Sequence, residues 1–304
     1  MEKRKEKKIQ FKNREFLESA MFGVIVGDAL GVPFEFQRRD SFKVEDMVGF
    51  GTHHQPAGTW SDDSSMTLAT LESFIECDYF DYEDLMDRFS SWLCQGEYCP
   101  YGQCFDVGCT TVTAIGRYKE GESPLTCGGK GFQDNGNGSL MRILPIAFVE
   151  HTIDDIFNLS RITHGHKIAL MCCRLYIQFA ENLMKGMEKK QAIENLTYCV
   201  EECKNIPEIA SFSRERIRST GYVVDTLEAA VWCFMNTENY RDCVITAVEL
   251  GDDTDTIAAV AGGIAGIYYG IGGEKGIPKE WITQLARKEW MEEMIQRIIK
   301  DKVV

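Results

Sequence analysis

Apolar residues recur at three- and four-residue spacing through most of this chain. The runs predict helices over 14–30, 64–77, 82–94, 106–119, 139–149, 166–184, 188–204, 222–235, 240–250, 256–270 and 279–300. Alternation with period two is scarce, and 42–50 is the only segment that reads as a strand. The run 257–273 consists of Gly, Ala and aliphatic or aromatic residues with no polar face, which marks a core helix. No Pro/Ser linker, fixed repeat or low-complexity tract divides the pattern. A single all-α domain over 15–304, preceded by a basic extension over 1–14, is the simplest organisation. Three non-periodic segments, 49–63, 96–105 and 121–138, are long for a helical domain, and loops of that length usually carry function.

Composition narrows the class. With 304 residues, 44% of them hydrophobic, the chain can bury a substantial core and is not disordered. Its formal charge of −14 argues against gripping nucleic acid or an anionic membrane. The excess acid suits cationic partners or carboxylates that hold metal ions. The prefix MEKRKEKKIQFKNR has no apolar stretch of the kind secretion needs, and reads as a frayed terminus or an extension of the first helix. No run approaches the ~18 uninterrupted apolar residues of a membrane span. The twelve cysteines include no CxxC pair, and Cys94, Cys99, Cys104 and Cys109 recur at a spacing that scatters them around a helix. Reduced thiols in a cytoplasmic protein are expected.

Two carboxylate clusters carry the chemistry. In GTWSDDSSM, Ser61, Asp62 and Asp63 precede an apolar helix, where capping alone would account for them. In GDDTDTIAAV, Asp252, Asp253, Asp255 and Thr256 crowd three carboxylates into four positions. One cap suffices for a helix, and the mutual repulsion of the others is relieved by a hard divalent cation. With no His or Cys close in sequence, zinc is disfavoured. Two such clusters meeting at helix N-termini could hold two ions, activate water and clamp vicinal substrate oxygens.

Other segments suit an anionic or aromatic ligand. NGNGSLMR joins a Gly/Asn loop to a predicted helix start. Asn135, Gly136, Asn137, Gly138 and Ser139 could there cradle a phosphate with backbone N–H groups. His164 of THGH could donate to a ligand or simply pack, and Tyr222 could stack on a base or fill the core. Glu35 of GDALGVPFEF and Asp106 of DVGCTT are surface residues by default, and candidate acid/base groups beside a metal site.

GDALGVPFEF, GTWSDDSSM, DVGCTT, NGNGSLMR, ITHGH, GYVVDTLEAA and GDDTDTIAAVAGGIAG, in this order over about 16–295, resemble the ADP-ribosylglycohydrolase family and its bacterial dinitrogenase-reductase-activating branch. The resemblance implies a multi-helix orthogonal bundle with two Mg²⁺ (or Mn²⁺) ions beneath an ADP-ribose cleft. It puts the metal ligands on Ser61, Asp62, Asp63, Asp253, Asp255 and Thr256. Acid/base work falls on Glu35 or Asp106, and substrate contacts fall on Asn135 to Ser139, His164 and Tyr222. Serine stands at 61 where the family usually has threonine, and also at 64 where threonine or glutamate is usual. The implied reaction is hydrolysis of the C1–ribose bond to a protein side chain, arginine first. ADP-ribosyl-serine, a small ADP-ribose derivative or a non-catalytic reader are the alternatives. A metal-dependent phosphohydrolase is a further rival and would release AMP instead of ADP-ribose.

Overall fold

The computed structural model describes residues 9–197 and 200–300. Its helices are α1 (Arg14–Gly31), α2 (Asp62–Glu76), α3 (Tyr82–Gln95), α4 (Cys109–Lys119), α5 (Pro124–Cys127), α6 (Ile153–Arg161) and α7 (Lys167–Met184). Then follow α8 (Lys189–Glu194), α9 (Val223–Met235), α10 (Tyr240–Val248), α11 (Thr254–Tyr269), α12 (Lys279–Gln284) and α13 (Lys288–Lys300). Among the described residues β-pairing is limited to isolated bridges, so the domain is all-α.

α1 and α11 form its centre. Both are buried along nearly their whole length, so neither shows a polar stripe. Glycines bring their backbones together. A Cβ on Gly23 would lie 2.3 Å from the Gly262 carbonyl oxygen, and one on Gly27 2.1 Å from that of Ala258. One on Gly31 would lie 2.3 Å from Cα of Asp255, and one on Gly266 2.1 Å from the Ser19 oxygen. The pairs run in opposite directions, so the helices are antiparallel and the C-terminus of α1 meets the N-terminus of α11. The segment Arg14–Phe34 is long and apolar enough to cross a membrane by length and composition, but it is buried inside this fold.

Several predicted elements change. No α-helix forms over 139–149; turns lead into a 3₁₀ segment, Leu144–Phe148, because Pro145 has no N–H to give and its ring would clash with the Met141 carbonyl. That carbonyl instead accepts from Thr67. The predicted 188–204 helix stops at Glu194, where Gln178 of α7 binds the Asn195 carbonyl and the Thr197 N–H. The predicted 279–300 helix breaks at Arg287, which is left-handed (φ 48°), while the Ala286 N–H bonds Gly58. The segment 42–50 is not a strand; Phe50 makes one bridge to Gln55. Residues 1–8 of the basic prefix lie outside the described residues. Residues 9–12 do not extend α1: Phe11 bridges Val149, and left-handed Asn13 starts the helix.

Candidate active site

The glycine seam determines where the carboxylates lie. Asp28, on the buried last turns of α1, accepts the Ser61 N–H at 2.9 Å, the Ser64 N–H at 3.0 Å and the Ser64 hydroxyl at 2.5 Å. It therefore docks the N-terminus of α2 on the end of α1. Burial raises its carboxyl to about 6, against the lowering effect of those hydrogen bonds. Ser61 is the N-cap of α2, with its hydroxyl accepting from the Asp63 N–H. From the other side Thr254 of α11 donates to the Gly31 carbonyl.

The two acidic clusters consequently touch. Asp63 Oδ2 accepts from Ser61 at 3.1 Å and from Thr256 at 3.2 Å, although 193 residues separate the last pair. Carboxylate oxygens of Glu35, Asp253 and Asp255 lie within 4.8 Å of one another. Asp63 Oδ1 and Asp255 Oδ2 are buried with no hydrogen-bond partner. Burial, reinforced by neighbouring carboxylates, pushes Asp62, Asp63 and Asp255 well above the usual range, and burial pushes Asp253 to about 6. Buried acceptors left unpaired are costly, and a proton or a cation relieves them. The donors are carboxylate and hydroxyl oxygens, which fits a hard divalent ion.

Glu35 closes the cluster on the solvent side. It is only 4% exposed, contrary to the default of a surface glutamate. Burial raises its carboxyl to about 7; Asp106 and Asp253 add to the rise, and a hydrogen bond to His53 offsets part of it. Glu35, His53 and Asp106 form a second group with ligand atoms within 4.8 Å. Asp106 is not helical: it sits left-handed (φ 50°) ahead of α4. Phe36 and Asp252 are left-handed too, and they hold each other's loops, Phe36 N–H to the Asp252 carbonyl and Asp252 N–H to that of Gln37.

The opposite wall of this cleft, about 280 Å³ in volume, is Gly136, Asn137, Gly138, Thr111 and His164. A Cβ on Gly138 would sit 2.8 Å from the His164 ring, so only glycine allows the imidazole to reach the cleft here. Burial and the nearby Arg142 guanidinium lower His164 to about 3, so it is neutral at physiological pH. Arg142 donates to Thr163 Oγ1 at 2.7 Å, and that hydroxyl lies 3.0 Å from His164 Nδ1. With Thr163 giving its proton to Nδ1, Nε2–H is left as a donor toward the cleft. Asn137 serves the acidic side, donating to Asp253 at 2.7 Å and Thr226 at 3.0 Å.

Three of the candidate substrate contacts do not line the cleft. Ser139 is fully buried, bonded to Ser160 and Cys173. Asn135 turns its amide to the Phe132 carbonyl. Tyr222 is half-buried, and its backbone bridges Gly136. Because no helix begins at Ser139, the 135–142 loop has no helix terminus to offer an anion.

The ADP-ribosylglycohydrolase family model matches residues 12–303. The chain belongs to the ADP-ribosylglycohydrolase family. It is 35% identical to the ADP-ribosylarginine hydrolase Tri1 of Pseudomonas putida (strain GB-1) over 92% of this chain and 77% of the relative. To Tri1 of Serratia proteamaculans (strain 568) it is 33% identical, over 92% and 78%. The ADP-ribosyl-[dinitrogen reductase] glycohydrolase of Rhodospirillum rubrum is 29% identical over 88% and 90%. A solved structure described as an ADP-ribosylglycohydrolase-related protein complex superposes with a TM-score of 0.79 at 30% identity, over 94% of this chain and 97% of that one.

In this ADP-ribosylglycohydrolase, sequence reasoning overlooked Asp28, His53 and Arg142. Asp28 stands inside GDALGVPFEF, but one acid on an apolar helix looks like a stray polar residue until its three donors are seen. His53 lies in the 49–63 loop, whose unusual length was the only signal. Arg142 ends NGNGSLMR yet is fully buried, with its guanidinium 4.8 Å from the Phe89 ring centroid.

Proposed function

We propose that this glycohydrolase releases ADP-ribose from ADP-ribosylated arginine, using a binuclear Mg²⁺ (or Mn²⁺) centre held by Ser61, Asp62, Asp63, Asp253, Asp255 and Thr256. The observation that carries the reading is the meeting of both acidic clusters under one cleft, with oxygens of Asp63 and Asp255 buried and unpartnered. The arginine assignment rests on the two relatives named ADP-ribosylarginine hydrolase. Divalent ions bound there would neutralise the carboxylates and polarise the vicinal hydroxyls of the distal ribose.

The chain's own groups do the rest. Gly136, Gly138 and the His164 Nε2–H receive the anionic part of ADP-ribose, which places C1 of the distal ribose over Glu35, Asp106 and Asp253. Glu35 takes a proton from the water that attacks C1 and returns it to the guanidine nitrogen as the C1–N bond breaks. His53 holds the Glu35 carboxyl in place, and the Asp106 charge favours the proton's temporary stay there. The products are ADP-ribose and an unmodified arginine. We place the reaction in the cytoplasm, in keeping with free thiols on every described cysteine.

The test is incubation with peptides ADP-ribosylated on arginine or on serine, with Mg²⁺ and with chelator, followed by mass analysis. Arginine peptides should yield intact ADP-ribose, and chelation or Asp255→Ala should abolish the yield. AMP as product, or release indifferent to both treatments, would overturn the reading.

A further inference from the structure

Beside the catalytic cleft lies a groove of about 570 Å³, bounded by Phe36, Arg38, Ile217, Arg218, Thr220 and Asp252, with Arg39 behind it. Phe36 lines both cavities and is 64% exposed. The Phe36 N–H bonds the Asp252 carbonyl and the Asp252 N–H bonds that of Gln37, which fixes this wall in place.

The two cavities have opposite charge. Glu35, Asp62, Asp106 and Asp253 line the cleft, and among the described residues no Lys or Arg does. The groove is lined by Arg38, Arg39 and Arg218 and by one acid, Asp252, with Asp225 paired to Arg218 at its edge, in a chain of net charge −14. Arg39 spends its donors on the carbonyls of Leu250, Arg214 and Ile217, which holds the 214–219 segment against the loop after α1. Arg38 is exposed and enters no ion pair among the described residues. Arg218 pairs with Asp225 at 3.2 Å, yet its side chain is 73% exposed and keeps donors for a second anion.

We propose that this groove holds an acidic stretch of the target protein next to the modified arginine. The proposal rests on the arginine reading given above. With the anionic part of ADP-ribose against Gly136, Gly138 and His164, the arginine leaves the cleft on the Glu35–Phe36 side, where the groove begins. Its neighbours in the target then pass Arg38 and Arg218. Acidic residues there pair with exposed guanidinium groups, whereas Lys or Arg neighbours are repelled. The overall negative field would otherwise turn acidic targets away, so a local basic strip at the exit is what admits them.

The test uses three fluorescein-labelled peptides, each ADP-ribosylated on a single arginine flanked by Asp/Glu, by Ser/Gly or by Lys. Release of ADP-ribose is followed with the full chain and with its R38E/R218E variant. The acidic-flanked peptide should exceed the neutral one about tenfold in kcat/KM at low salt, mostly through KM. The ratio should shrink as salt rises and invert in the variant. Equal kcat/KM for all three peptides, or a ratio the variant preserves, overturns the proposal. Hydrolysis of ADP-ribosyl-arginine without a peptide tests the cleft by itself, so a failed arginine reading shows there. The groove is still decided in that event: anisotropy must rank the unmodified peptides in the same order, and no ranking refutes it.

Discussion

The seam between α1 and α11 makes a sharp prediction at Gly27. In Gly27→Ala the new methyl would lie 2.1 Å from the Ala258 oxygen and 2.6 Å from its carbon. A tolerable contact needs a parting of about 1 Å, a forced overpacking that costs about 1–3 kcal/mol. Alanine recovers up to ~1 kcal/mol through its better helix propensity. With that gain taken in full the remainder is about 0–2 kcal/mol, which lowers the melting temperature by up to about 8 °C, at roughly 2–4 °C per kcal/mol. Function should suffer more than stability, because the same seam sets the distance from Asp28 and Ser61 to Asp255. A misplacement of about 1 Å can cost ~100-fold in rate. Gly116→Ala is the control: that glycine is inside α4 with nothing within 4 Å of where the added methyl would lie, so alanine should stabilise by about 0.5–1 kcal/mol. Thermal scans with and without Mg²⁺, and release of ADP-ribose, measure both variants. A Gly27→Ala protein that melts at or above the parent and keeps its activity would refute the packing argument.

Three further outcomes follow from the site. Asp28→Asn replaces an acceptor of three donors by a group that has donors of its own, and should lose about 1–3 kcal/mol in denaturant titration along with most activity; parental values for both would contradict Asp28 as the tie between α1 and α2. Asp28 and Asp253 titrate at about 6 and Glu35 at about 7, against about 4 unfolded, so the metal-free native state keeps protons the unfolded chain has released. Its stability should therefore fall as pH rises from about 4 to 7, and added Mg²⁺ should raise the melting temperature more at pH 8 than at pH 5; a flat profile would count against the clustering. His164 titrates at about 3 folded and about 6.5 unfolded, so its contribution to stability is lost as pH falls from 6.5 toward 3, and ¹⁵N NMR should find it neutral at pH 5 with the proton on Nε2. Thr163→Val should disturb that tautomer, and an unchanged spectrum would exclude the Arg142–Thr163–His164 chain.

The sequence by itself determined the helical class, because three- and four-residue apolar spacing admits little else. It also showed that Asp253 and Asp255 exceed what a helix cap needs. Ordered motifs pointed to the family, since seven short segments in sequence are far more specific than any one. Elements whose ends depend on remote partners were not legible. Gln178 stops α8, Gly58 breaks the last helical run, and Pro145 sits among apolar residues whose spacing by itself suits a helix. The motifs suggested that Ser61–Asp63 and Asp253–Thr256 could converge; the tertiary structure decided how they meet. That meeting depends on backbone contact between Gly27, Gly31 and α11 and on Asp28 receiving the start of α2. It also decided that Glu35 is buried against His53, that Ser139 faces the core, and that a basic groove adjoins an acidic cleft. A linear pattern records which face of an element is apolar. It does not record which elements a seam of missing side chains will allow to touch.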